Sequence, residues 1–172
     1  RLIYGNPELA HGLLERITRA VSDYLSAKIE AGADAVQLFD TWGGILAPDD
    51  YTEFSLKYIE RVISNVKRQE QPVIVFSKGV HTSFDLLADC GSGVVGLDWS
   101  VDIGDVRRQI GNKVALQGNL DPTILYADQG RIEAAAEKVL DSSGTGTAHI
   151  FNLGHGILPD VPHENLKALV SY

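Results

Sequence analysis

Short apolar runs alternate along the chain with longer stretches in which apolar residues recur every three or four positions. The short runs read as buried strands: Ala35-Val36-Gln37-Leu38-Phe39, Val73-Ile74-Val75-Phe76, residues 93–97, Val114-Ala115-Leu116-Gln117 and residues 148–153. Ahead of the first strand, Leu9, Leu13, Ile17, Val21, Tyr24 and Ile29 mark the face of a helix. It opens on Asn6-Pro7-Glu8, an N-cap followed by proline and a first-turn acid, and stops at Gly32. A second helix is expected over about 49–69, with Phe54, Tyr58, Ile59, Val62, Ile63 and Val66 on one face. Shorter helices follow over about 83–90 and from the Asp102 cap to Ile110, the first stopped by Gly91 and the second by Gly111. Further helices are expected over 131–140, before Gly144, and from 162 to 172. Strands alternating with helices predict an α/β fold of parallel strands joined by right-handed crossovers. The loop at 142–147 is too short to divide domains.

Composition narrows the class. With 172 residues, 44% hydrophobic and 22% charged, the chain suits one globular domain or part of a larger one. The longest strictly apolar run is residues 73–76, so neither a membrane span nor a signal peptide is expected. The single cysteine, Cys90, excludes an intrachain disulfide and fits a reducing cytoplasm. A net charge of −8 argues against non-specific nucleic-acid binding, which needs a basic face. The chain starts at Arg1 and contains no methionine, which suggests a processed chain or an excised segment.

The uncommon side chains fall just after the strands. They form Asp40-Thr41-Trp42-Gly43-Gly44, Ser77-Lys78-Gly79-Val80-His81, Asp98-Trp99-Ser100, Gly118-Asn119-Leu120-Asp121-Pro122 and Asn152-Leu153-Gly154-His155-Gly156. Parallel α/β domains build their sites at these C-terminal strand ends. Asp40 and Asp98 offer carboxylates, although strand-end acids more often cap loops or helices. Lys78 and His81 suit either an anionic ligand or a solvated rim. His155 stands out because Gly154 and Gly156 flank it, permitting unusual dihedrals or close backbone approach. Trp42, Trp99 and Cys90 are read as packing residues. No P-loop, GxSxG elbow or HExxH pair is present, and no GxGxxG is expected.

Four of these segments, in order and at the expected separations, resemble the uroporphyrinogen decarboxylase family. They are Leu38-Phe39-Asp40-Thr41-Trp42-Gly43-Gly44, Gly96-Leu97-Asp98-Trp99, Leu116-Gln117-Gly118-Asn119-Leu120-Asp121-Pro122 and Asn152-Leu153-Gly154-His155-Gly156-Ile157. The resemblance implies a (β/α)8 TIM barrel about twice this length, of which residues 1–172 are the C-terminal part with about five βα units. It implies a cytoplasmic homodimer when full length, with uroporphyrinogen, an anionic tetrapyrrole, as substrate. Its four acetate side chains become the methyls of coproporphyrinogen with loss of CO2, and neither metal nor cofactor takes part.

The resemblance carries three substrate-binding residues onto this sequence. Thr41 matches the hydroxyl that helps hold the substrate, His155 the histidine near its carboxylates, and Phe39 an aromatic lining the pocket. The family's catalytic aspartate, its anion-binding arginines and a substrate-binding tyrosine would lie upstream of Arg1, so no catalytic residue is assigned within this segment. Five strands leave two edges unpaired, and the isolated chain is expected to be inactive and prone to associate. One alternative is a zinc-dependent corrinoid or thiol methyltransferase of the same superfamily. The ligand places of such an enzyme correspond here to Phe76, Lys78 and His155. Another is a non-catalytic fragment that binds tetrapyrrole without turnover.

Overall fold

The computed structural model describes residues 1–145 and 148–171; Gly146 and Thr147 of the expected loop, and Tyr172 of the expected last helix, lie outside them. Five strands, β1 (Val36–Asp40), β2 (Val73–Ser77), β3 (Val94–Gly96), β4 (Ala115–Leu120) and β5 (His149–Leu153), form a parallel sheet in chain order. A helical segment follows each, as the alternation requires. The chain divides into two compact units, Arg1–Val94 and Val95–Tyr172.

In the first unit, a short helix α1 (Leu2–Gly5) precedes α2 (Pro7–Glu30), and the Asn6 side chain accepts from Leu9 N at the start of α2. The cap is where the sequence puts it, but the buried face is not. Ala10, Thr18, Ser22 and Leu25 are buried, whereas Leu9, Leu13, Ile17 and Tyr24 are exposed. Small side chains let α2 come close to α4 (Lys57–Asn65), and Ser22 satisfies its hydroxyl on the Thr18 carbonyl at 2.7 Å. The larger residues are left outside. His11 reaches across the same face. Its ring stacks on Phe54 at 4.8 Å, with Nδ1 2.8 Å from the Tyr58 hydroxyl and Nε2 3.0 Å from Glu53.

The helix expected over 49–69 is three pieces: α3 (Pro48–Tyr51), a π-helical turn (Thr52–Leu56) and α4. Periodicity cannot register one inserted residue. Its expected apolar face is nonetheless buried throughout, from Phe54 to Val66. Every residue of β2 is buried, as an interior parallel strand demands. α5 (Phe84–Asp89) ends at Cys90, which is buried as expected, and burial pushes its thiol pKa up.

Contrary to the expectation of none, Gly91-Ser92-Gly93-Val94-Val95-Gly96 does spell GxGxxG. The spacing is without its context, because the motif runs into β3 instead of opening a helix, and the next helix begins at Ile103.

In the second unit, Asp102 caps α6 (Ile103–Ile110) by accepting from Gly104 N and Asp105 N. At the other end of α6, Arg107 gathers three carbonyls, donating to Gly111 and Val114 at 2.8 Å and to Ala148 at 3.1 Å. This one side chain ties the helix to the starts of β4 and β5. β4 is longer than its apolar run suggests, because Gly118, Asn119 and Leu120 continue the ladder instead of leaving it. α7 (Gln129–Ser143) and α8 (His163–Ser171) meet over a core of Leu125, Ile132 and Val161. There the Asn165 side-chain amide donates to the Leu125 and Ala127 carbonyls.

Candidate functional site

At the end of β1, Asp40 is held by hydroxyls. Its Oδ2 accepts from Ser55 on the π-helical turn and from Ser77 on β2, both at 2.7 Å, and Tyr51 donates to Ser77 at 3.0 Å. The strand register places Asp40 opposite Ser77, so the network begins in the ladder itself. Tyr51 is fully buried and its phenol is pushed well above its usual range, chiefly by desolvation. The network therefore has a phenol that stays protonated and donates. Asp40 is a fastening group here, accepting side-chain hydroxyls instead of capping a helix.

Gly43 is packed against that network. A Cβ there would stand 2.4 Å from Asp40 Oδ2 and 2.6 Å from Ser77 Oγ. The next residues fasten to the loop after β2, with Gly44 N donating to the Lys78 carbonyl at 2.9 Å and Lys78 N to the Asp40 carbonyl at 3.1 Å. Thr41, half-buried, sits inside this fastened turn. Phe39 is 67% exposed and tilts against Phe76 at 6.0 Å between ring centroids. It also borders an open cavity of about 150 Å³ with Leu14, Ile17, Leu38, Phe54 and Tyr58. Trp42 was expected to pack but is 72% exposed, because Gly43 and Gly44 take the packed positions and turn the indole outward. Lys78 is half-buried, and His81 is exposed with its ring 6.2 Å from that of Phe84.

The second unit builds its strand ends differently. Asp98, only 4% exposed, accepts at Oδ1 from Ser100 N at 2.8 Å and from Ser100 Oγ. Asn119, buried on β4, donates through Nδ2 to the Asp98 carbonyl at 2.9 Å and the Val101 carbonyl at 2.7 Å. Together they fix the turn that carries Trp99. Gly154, after β5, donates to the Leu120 carbonyl at 2.7 Å and lies against that same turn. A Cβ on Gly154 would come within 2.4 Å of Trp99 N and 3.0 Å of Asp98 C. His155 follows, exposed, its ring 5.9 Å from the Trp99 indole with the planes at 89°.

Of the two glycines flanking His155, Gly154 is there for close approach and Gly156 is not crowded; neither has a positive φ. The expected unusual dihedrals are therefore absent, and close packing is what remains of that argument. Trp99, expected to be simple packing, is instead the aromatic neighbour of His155. Phe39 and Thr41 fall in the first unit and His155 in the second. Sequence reading missed the partners: Ser55, Ser77 and Tyr51 around Asp40, and Asn119 beneath Trp99. Only Ser77 had a legible signal, its position opposite Asp40 once the two strands are aligned.

Residues 1–172 match the uroporphyrinogen decarboxylase (URO-D) family over their whole length. The chain belongs to the uroporphyrinogen decarboxylase family. It is 49% identical over 177 residues to the uroporphyrinogen decarboxylase of Chlorobium luteolum, matching 100% of this chain and 50% of that protein. To the uroporphyrinogen decarboxylase of Actinobacillus pleuropneumoniae it is 46% identical over 174 residues, 99% of this chain and 49% of that one. It thus spans about half the length of the curated relatives it matches. Among solved structures, a methyltransferase from Methanosarcina mazei superposes with a TM-score of 0.79 at 28% identity, over 90% of this chain and 45% of the other. The fold class read from the sequence, α/β and part of a TIM barrel, holds.

Proposed function

We propose that this chain acts as the C-terminal part of a single uroporphyrinogen decarboxylase barrel domain. The reaction is conversion of the four acetate side chains of uroporphyrinogen III to methyl groups, giving coproporphyrinogen III. The carrying observation is the family match along the whole chain. The strand-end positions of Phe39, Thr41 and His155 support it. In this reading Thr41 contributes a hydroxyl to the substrate, His155 hydrogen-bonds near its carboxylates and Phe39 lines the pocket.

Loss of CO2 from an acetate leaves an electron pair on the side-chain carbon. A pyrrole ring protonated beforehand accepts that pair, a proton delivered to the resulting exocyclic CH2 completes the methyl, and the ring gives back its added proton to regain the aromatic pyrrole. No cofactor is needed as electron sink. In this reading the acid and the cationic groups that hold eight carboxylates belong to the rest of the barrel; binding depends on the local field at the cleft, which the net −8 of this segment does not decide. The full-length enzyme is a cytoplasmic homodimer, and the 172-residue chain alone is inactive.

The test is chromatographic separation of coproporphyrinogen from uroporphyrinogen after incubation with the full-length protein carrying this segment, its His155→Ala variant, and the isolated chain. Turnover by the first, a marked loss in the second and none in the third is the expected pattern. Wild-type kinetics in His155→Ala would remove the site assignment, and turnover by the isolated chain as a monomer would remove the half-barrel reading. The structural neighbour from Methanosarcina mazei favours a second reading, a methyltransferase. Stoichiometric zinc in the full-length protein, with methyl transfer and no decarboxylation, would put that reading first.

A further inference from the structure

We infer that Trp99 is a positioning residue for His155, holding its imidazole in the orientation the substrate meets. The inference rests on the assignment of His155 to the substrate and adds a second residue to that site.

Three observations carry it. The rings stand edge to face, 5.9 Å between centroids and 89° between planes, a geometry in which the positive edge of one ring meets the negative face of the other. The indole has a fixed base. Asn119 holds the carbonyls on either side of Trp99-Ser100, and the Asp98 carboxylate closes back on Ser100. The backbone of the histidine loop is seated on the same turn, since Gly154 leaves no room for a Cβ against Trp99 N and is tied to the Leu120 carbonyl. Backbone and ring of the His155 loop are therefore both referenced to one rigid turn. A fixed ring alongside narrows the χ1 wells open to an exposed histidine before substrate arrives.

The test is a double-mutant cycle in the full-length protein with Trp99→Leu and His155→Ala. An aromatic pair of this kind sets the expected loss in kcat/KM for Trp99→Leu at about 3- to 10-fold. Trp99→Phe, which keeps a ring face, should restore activity to within about twofold of wild type. If Trp99 acts through His155, adding Trp99→Leu to His155→Ala costs nothing further. Losses that multiply, or a silent Trp99→Leu beside an impaired His155→Ala, overturn the positioning role and leave the site assignment intact. A silent His155→Ala overturns the assignment, and this inference with it. Trp99→Met, apolar and ringless, replaces Trp99→Leu in the cycle should the latter fail to fold. The His155 ring-proton shifts give an independent reading: they move furthest toward random-coil values in the ringless variants and less far in Trp99→Phe, and shifts unchanged in the ringless variants would overturn the proposal.

Discussion

The ends of β1 and β5 both pack a glycine where no Cβ fits, and they differ in what stands beside it. Thr41 follows a strand fastened by polar groups, one carboxylate collecting two hydroxyls with a buried phenol behind them. His155 follows a glycine seated against the turn that Asn119 and Asp98 fix, with an aromatic ring alongside. A polar network fails when a member is deleted, because the remaining buried groups lose their partners. A shape fit fails when an atom is added. Deletion at the end of β1 and addition at the end of β5 thus test the two kinds of hold separately.

The addition is tested at Gly154. Gly154→Ala puts a methyl 2.4 Å from Trp99 N, backbone that has to move, and an ångström of displacement at His155 is expected to lower turnover of the full-length protein about a hundredfold. Circular dichroism should stay that of the wild type, and undiminished turnover would break the comparison at its strongest point. The deletion is tested at Asp40. Asp40→Ala leaves Ser55 and Ser77 without their acceptor and should cost about 2 kcal/mol in urea unfolding, with a smaller effect for Asp40→Asn. Tyr51→Phe removes one donor from the same network and should cost about 1 kcal/mol by the same measurement.

The smallest effect is expected at a second polar fastening of the second unit, this one away from the histidine. The Ser142 hydroxyl donates to Asp102 at 2.7 Å, and this bond, with those from the Asp105 and Gly104 amides, holds the Asp102 carboxyl below its usual pKa. A carboxyl lowered on folding contributes stability above its unfolded pKa and loses it as pH falls through the folded one. Ser142→Ala should therefore destabilise by about 0.5 kcal/mol at neutral pH, kept small by solvent around Asp102, and the gap to wild type should close under acid. Thermal melts at neutral and strongly acidic pH read it; a gap that widens in acid has the wrong sign.

Much of the architecture was legible because it follows from periodicity and punctuation. The five strands, the Asn6 and Asp102 caps and the buried face from Phe54 to Val66 all came from such local signals. What escaped depended on chain meeting chain. The face of α2 was misread because a helix can bury its small residues when the neighbouring helix comes close, leaving Leu9, Leu13, Ile17 and Tyr24 outside. The π-helical turn shifts Ser55 onto Asp40 without changing the apolar count. Strand β4 runs on through Gly118-Asn119, residues that read as a turn when taken alone. Of the site, the strand-end positions were visible and the partners were not. Ser55, Tyr51 and Asn119 are ordinary polar residues until folding brings them to Asp40 and to the Trp99 turn.

The outward-facing stripe of α2 also bears on how this polypeptide behaves as a colloid. Leu9, Leu13, Ile17 and Tyr24 form a sticky ridge, and between molecules the opposing influence is like-charge repulsion from a net −8. That repulsion vanishes near pH 5.0, the isoelectric region of this composition, and weakens in salt at any pH. Light scattering should rise as a solution of the chain is brought from neutral pH toward 5, and a charged residue placed at Leu13 or Ile17 should hold it clear.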